Sequence, residues 1–182
     1  IRNCLVGSEM CIRDSMLITG ATGGIGSALC KLLSNKGIIP IVGYNKSSVR
    51  ANNLAKQLNS FSVKIDLGNE KSIQEGIKFI IGQLEEKDVL KGIVLVASPP
   101  PDLISFTNTS SKHLQNQFQI NLIGPQALLK GLIKKFYQKK NPGTIIGVLT
   151  NAIGSDSQLP VAGMSSYIIA KSALKTMLQT CK

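Results

Sequence analysis

The 182-residue sequence contains no tryptophan, and aromatic residues make up only 4% of it. Surfaces that stack nucleic-acid bases need such rings. The excess of 21 Lys and Arg over 10 Asp and Glu, a formal net charge of +11, is therefore not read as a nucleic-acid interface. The lysines are scattered over helix faces, as across residues 133–140, rather than gathered beside a stacking platform. Histidine occurs once, as His113, in a stretch rich in Ser, Lys and Gln that marks it as solvated. The four cysteines, Cys4, Cys11, Cys30 and Cys181, have no metal-type spacing, so no metal site is expected. So few cysteines suit a reducing cytoplasm. No apolar run approaches the ~20 residues of a membrane-spanning helix. The first apolar stretch, residues 16–33, is broken by polar and glycine positions and reads as strand, turn and helix rather than as a leader. With 43% hydrophobic and 17% charged residues, the composition is that of a globular domain with a sizeable core.

Residues 1–15 stand apart. Residues 5–15 read LVGSEMCIRDS, the same string that one reading frame of the adapter used in transposase-based sequencing libraries encodes. We set residues 1–15 aside as adapter-derived. The native gene is expected to lack residues 5–15 and to continue beyond Lys182. Cys4 and Cys11 then leave the cysteine count. The segment's charges cancel, so the basic balance stands.

From residue 16 onward, strand and helix patterns alternate. Apolar strands are expected at 16–19, 38–44, 61–67, 92–97 and 144–150. Helices are expected at 25–35, 49–58, 69–87, 110–139 and 164–182, the fourth bent at Gly124-Pro125. Ser47 or Ser48 is a candidate cap for the second helix. The 98–108 stretch reads as a Pro-rich loop and 151–163 as a second loop. Continuously apolar strands alternating with amphipathic helices imply a parallel sheet covered on both faces, the doubly wound dinucleotide-binding architecture.

The turn after the first strand reads TGATGGIG, residues 19–26. Its place between strand and helix carries more weight than its letters. Gly20 permits a tight turn, Gly24 lets the backbone approach a pyrophosphate, and Gly26 lets helix and strand pack closely. The helix N-terminus offers free N–H groups and a positive dipole end to phosphates. The basic balance of the chain would help to attract such an anion.

The spacing Gly-x-x-x-Gly-x-Gly resembles that of the short-chain dehydrogenase/reductase family. The resemblance continues through Asp66-Leu67, Asn121 and Tyr167-x-x-x-Lys171, and covers about residues 16–182. It implies a Rossmann-type doubly wound parallel sheet in three α/β/α layers. It also implies a hydride-transferring oxidoreductase acting on a carbonyl or alcohol. Cofactor contacts would come from Gly20, Thr22, Gly24, Ile25, Gly26, Asn45, Lys46, Ser47, Asp66, Leu67, Ala97 and Lys171. Tyr167 would be the acid/base. A free phenol holds its proton to about pH 10, and an ammonium one helical turn away favours phenolate. Lys171 would also bond the nicotinamide ribose, Thr150 would donate to the substrate oxygen, and Asn121 would hold a water linking Lys171 to solvent.

The end of the second strand, residues 43–48, reads GYNKSS and offers no carboxylate for a ribose 2′-hydroxyl. Lys46 and Ser47 suit a 2′-phosphate, so NADP(H) is favoured, with NAD(H) as the alternative. The chain also departs from the family. The usual Asn-Asn-Ala-Gly is here Leu95-Val96-Ala97-Ser98. The family's serine falls on Thr150, and the lengthened stretch to Tyr167 makes Ser155 a rival. Members add two strands and a substrate-covering segment after the Tyr-Lys helix, so the resemblance implies that C-terminal strands are missing here. A non-catalytic NADP(H)-binding sensor, or an inactive fragment of an enzyme, are the competing readings. The family often forms dimers or tetramers, expected here for the full-length protein.

Overall fold

A computed structural model describes residues 13–84, 88–101, 103–137, 142–155 and 157–181. Five parallel strands form one sheet: β1 (Arg13–Thr19), β2 (Ile39–Tyr44), β3 (Ser62–Lys64), β4 (Asp88–Leu95) and β5 (Thr144–Gly147), in the order β3-β2-β1-β4-β5. Between them run α1 (Gly24–Asn35), α2 (Ser48–Gln57), α3 (Glu70–Gln83), α4 (Ser111–Phe118) and α5 (Gly124–Phe136), and α6 (Ser165–Thr180) follows β5.

The layering follows from strand geometry, since successive side chains in a strand point to opposite faces. Leu17, Ile41 and Ile93 pack with Ile73, Ile77, Leu128 and Leu174 of α3, α5 and α6. Their neighbours Ile18, Val42 and Val94 pack with Cys30, Leu33, Ala51 and Leu54 of α1 and α2. Both sheet faces are therefore covered, giving the three α/β/α layers expected. Cys30 sits in the second of these cores, and burial pushes its thiol up to about 11.

Several boundaries differ from the sequence expectation. Of residues 1–15, set aside above, 1–12 lie outside the described residues, while Arg13, Asp14 and Ser15 open β1. They pair with Asp88, Val89 and Leu90 of a β4 that begins four residues earlier than its apolar run. The polar ends are held by an Arg13–Asp88 fork of 2.8 and 2.9 Å and by Ser15 Oγ donating to the Val89 carbonyl at 3.1 Å. Strands β3 and β5 are shorter than expected, although Ile65 N still donates to Tyr44 O and Val148 N to Leu95 O. The expected helix ends at 85–87, 138–139 and 182 lie outside the described residues.

The long helix deviates before Gly124-Pro125 rather than at it. Residues Gln119–Ile123 form a π-helical turn closed by Gly124 N donating to Gln119 O. Proline at 125 has no N–H, so the regular i→i−4 bond to the Asn121 carbonyl cannot form. A wider turn relieves that mismatch. A Cβ on Gly124 would lie 2.2 Å from Leu67 O, so only glycine lets α5 start against the chain leaving β3.

Candidate active site

The order of the sheet reverses direction between β1 and β4, the place where doubly wound proteins bind ligands beyond the carboxyl ends of their strands. A cleft of about 570 Å³ opens there. Its floor is the glycine turn. Gly20 has φ +65°, and a Cβ on it would lie 2.9 Å from the Ala97 Cα. Only glycine thus permits both the turn and the close approach of the segment after β4. A Cβ on Gly26 would lie 2.4 Å from Gly20 O, which presses α1 directly onto the turn. Gly24 faces open space, with nothing within 4 Å of the corresponding Cβ position. The N-cap of α1 is Gly23, and no side chain caps its first turn. Uncapped amides beside an open backbone are the donor set a pyrophosphate needs. A dinucleotide therefore fits this cradle on geometric grounds.

Ten residues expected at the cofactor line the cleft: Gly20, Thr22, Gly24, Ile25 and Gly26 on its floor, Asn45 and Lys46 after β2, Asp66 and Leu67 after β3, and Ala97 after β4. Ile25 is 62% exposed, an apolar surface at the start of α1 open to a ring. Asp66 Oδ1 accepts from Gly68 N at 2.9 Å, which curls the chain at the end of β3. Ser47 is the N-cap residue of α2 but its side chain makes no capping bond, and neither Ser47 nor Lys171 belongs to the lining. Gly23 and Ser98 line it as well, as do Pro99 and Pro100 of the Pro-rich loop.

A further contributor is Thr19, 2% exposed at the end of β1. Its Oγ1 accepts from Val96 N at 3.1 Å and Ala97 N at 3.2 Å, and its hydroxyl donates to Val94 O at 3.4 Å. Thr19 thus ties the turn after β4 to the glycine turn. The signal was a hydroxyl ending an otherwise apolar run. Although the asparagine pair is replaced, the backbone of Val96 and Ala97 is held by the side chain that ends the neighbouring strand β1.

The second part of the site lies around β5 and α6. Thr150, half-buried, follows β5, and its Oγ1 accepts from Ala152 N at 3.2 Å in a one-turn 3₁₀ helix. Ser155 is exposed, in a tight loop where Ser155 N donates to Gln158 O and Gln158 N donates to Ser155 O. Tyr167 is half-buried in the first turn of α6. Lys171 is 2% exposed; its Nζ donates to Val148 O at 3.0 Å and lies 5.8 Å from the centre of the Tyr167 ring. Burial pulls this ammonium down to about 8 from the ordinary 10.5.

Asn121 is 1% exposed in the π turn, which packs against α6. Its Nδ2 donates to Gln117 Oε1 at 2.9 Å, while its Oδ1 is buried and makes no hydrogen bond. Gln117, itself 1% exposed, was missed because a lone Gln in a polar helix carries no signal. His113 lies in the first turn of α4, where its amide donates to Ser110 Oγ. Among the described residues no group of three or more His, Cys, Asp or Glu could hold a metal ion, and no helix is long and apolar enough to cross a membrane.

The sheet order and its flanking helices are those of the doubly wound α/β class. A family model described as short chain dehydrogenase matches residues 14–182, and the chain belongs to that family. Short-chain dehydrogenase reductase 3a of Arabidopsis thaliana is 26% identical over 167 residues, covering 90% of this chain and 62% of the relative. The 3-amino-tetrahydro-pyrrolizinone reductase of Xenorhabdus hominickii is 32% identical, covering 88% of this chain and 52% of the relative. A short chain dehydrogenase from Shigella flexneri superimposes with a TM-score of 0.79 at 18% identity, over 93% of this chain and 66% of that one. The chain thus spans less than two thirds of the length of both relatives.

Proposed function

We propose that this chain carries the NADP(H)-binding and proton-transfer core of an oxidoreductase that interconverts a carbonyl and an alcohol. The observation that carries the reading is the buried Lys171 ammonium 5.8 Å from the Tyr167 ring, on the helix that follows Thr150. Burial of a lone ammonium without a carboxylate partner costs stability, and such groups concentrate at functional sites.

Each residue then has a task. The turn at Gly20, Gly24 and Gly26 and the first amides of α1 hold the pyrophosphate. Lys46 meets a 2′-phosphate, supported by Asn45 and by the Ser47 hydroxyl, which the helix cap leaves unused. Asp66, Leu67 and Ala97 flank the nucleoside portions. Bound nicotinamide supplies or takes the hydride. Tyr167 exchanges the proton on the substrate oxygen, and Thr150 donates a hydrogen bond to that oxygen. Lys171 has three N–H donors. One is committed to Val148 O, which leaves others for a ribose hydroxyl and for a water held by Asn121.

The same reading carries a cytoplasmic location, supported by the few cysteines, and a dimer or tetramer for the full-length protein. A second reading is a non-catalytic NADP(H) sensor. It is favoured by Thr150 in place of serine and by Leu95-Val96 where the family has asparagines.

Fluorescence titration with NADPH and NADH tests the cofactor assignment. NADPH is expected to bind more tightly, and Lys46→Ala to lower NADPH affinity by roughly tenfold, the scale of one charge-assisted contact to phosphate. Tighter NADH binding, or an indifferent Lys46→Ala, contradicts it.

A further inference from the structure

Two loops lead from the cofactor cleft toward Tyr167, and their composition differs from the rest of the chain. Residues 98–111 leave the cleft, whose lining includes Ser98, Pro99 and Pro100. Residues 151–163 begin after Thr150 and lead into α6. In sequence, residues 98–111 and 151–170 contain no Lys, Arg or His, within a chain of net charge +11. Their ionisable acids are Asp102 and Asp156, both outside the described residues.

The two loops are joined. Ile104 N donates to Gly163 O at 2.8 Å, and the Cβ position of Gly163 lies 3.9 Å from Leu103 Cδ2. Within the second loop Val161 N donates to Ala152 O at 3.0 Å, which folds it back beside Thr150. The pair exposes four large apolar side chains, Leu103 at 76%, Phe106 at 77%, Leu159 at 88% and Val161 at 43%, among uncharged polar ones such as Thr107, Asn108 and Gln158. Scattered exposed apolar residues need no explanation, but a group carried by two joined loops beside a reactive centre does.

We propose that these loops select an uncharged, largely apolar ketone or aldehyde, or the corresponding alcohol, and discriminate against carboxylates and phosphate esters. The inference rests on the carbonyl–alcohol reading above and adds the substrate class. Its physical basis is twofold. Apolar side chains gain by covering an apolar substrate. A wall without cations leaves an anionic substrate desolvated and without a partner, which selects against it. Lys46 lies at the cofactor end of the cleft, and the cation at the substrate end, Lys171, is buried and bonded to Val148 O rather than carried by the loops.

Methyl NMR of the Leu-, Ile- and Val-labelled chain tests this, with acetophenone and 4-acetylbenzoate as probes, each with and without NADPH. Acetophenone is expected to shift the methyls of Leu103, Leu159 and Val161 and to bind more tightly than 4-acetylbenzoate. Leu103→Lys replaces a side chain that is 76% exposed, so the fold should tolerate it. It should narrow or invert the preference by roughly two- to fivefold, the scale of an exposed ion pair. Equal or tighter binding of 4-acetylbenzoate by the unaltered chain, or acetophenone leaving all three residues unmoved, overturns the proposal. NADPH fluorescence in the same samples keeps the two readings apart. Loss of NADPH binding counts against the oxidoreductase reading, whereas normal NADPH binding with an unresponsive loop pair counts against the substrate class alone.

Discussion

The proposed cofactor end and the proposed proton-transfer end of the site are held by different kinds of contact. Around Gly20 and Gly26 the fit is backbone against backbone: added Cβ atoms would lie 2.9 and 2.4 Å from main-chain atoms. Around Tyr167 and Lys171 the geometry depends on buried polar side chains, with Lys171 bonded to a strand carbonyl and Asn121 to Gln117. Main-chain packing is rigid and intolerant of size. A buried ammonium is tolerant of size but costs stability. The first end should therefore fail by misfolding or lost binding, and the second by lost chemistry with the fold intact.

The glycine turn offers the sharpest version of this contrast. Gly26→Ala drives a methyl into Gly20 O and should destabilise the fold by about 1–3 kcal/mol or more, taking NADPH binding with it. Gly24→Ala adds the same methyl into open space. Its thermal stability should stay level or rise by up to about 1 kcal/mol, since Ala restricts the unfolded chain. NADPH affinity should nevertheless fall, because the methyl occupies the approach of the phosphate. Thermal melts and NADPH titration of both variants check this. Equal stability of the two would break the comparison at the cofactor end.

At the other end, Thr150→Val should lower turnover by roughly 10²–10³-fold if its hydroxyl polarises the substrate oxygen. Thr150→Ser should retain activity. Ser155→Ala should be nearly silent, because Ser155 is exposed in a tight loop, where its Oγ lies against the hydroxyl of Ser157. A silent Thr150→Val with an inactive Ser155→Ala would reverse the assignment.

Lys171 adds a pH signature. Between about pH 8 and 10.5 the unfolded chain still holds a proton on this amine that the folded chain has released. Raising the pH across that window therefore stabilises the fold, by up to about 3 kcal/mol for a shift of this size. Cys30, raised from 9.0 to about 11, and Tyr137, raised from 10.0 to about 12, pull the other way at higher pH. The informative quantity is thus the stability of Lys171→Met minus that of the unaltered chain. The variant should be the more stable below pH 8, and its advantage should shrink toward pH 10.5. A difference independent of pH would show that the ammonium is not held at a cost.

What could be read in advance followed the same division. The apolar halves of the strands, the glycine turn and the Tyr-Lys spacing were legible, because periodicity and glycine both leave marks in a single sequence. The first residues of β1 and β4 were not: Arg13 and Asp14 fell in the segment set aside, and Asp88 is polar and is held in the sheet by pairing with Arg13. Nor was the π turn at Gln119–Ile123. Gly124-Pro125 marks a disturbed helix, but where the disturbance is absorbed depends on how α5 seats against Leu67. Thr19 and Gln117 look ordinary until the partners that bury them are placed.

The most direct measurement is turnover and NADPH affinity determined together for Tyr167→Phe. The ring still packs and only the hydroxyl is lost, so the fold and the glycine cradle should be unaffected. Turnover of a carbonyl substrate should fall by about 10²–10⁴-fold, the usual contribution of a positioned acid–base group, while NADPH affinity stays within twofold of the unaltered chain. Turnover equal to that of the unaltered chain would contradict the proton-transfer role of Tyr167 and favour the sensor. A parallel loss of NADPH affinity would show that the two ends are not built separately.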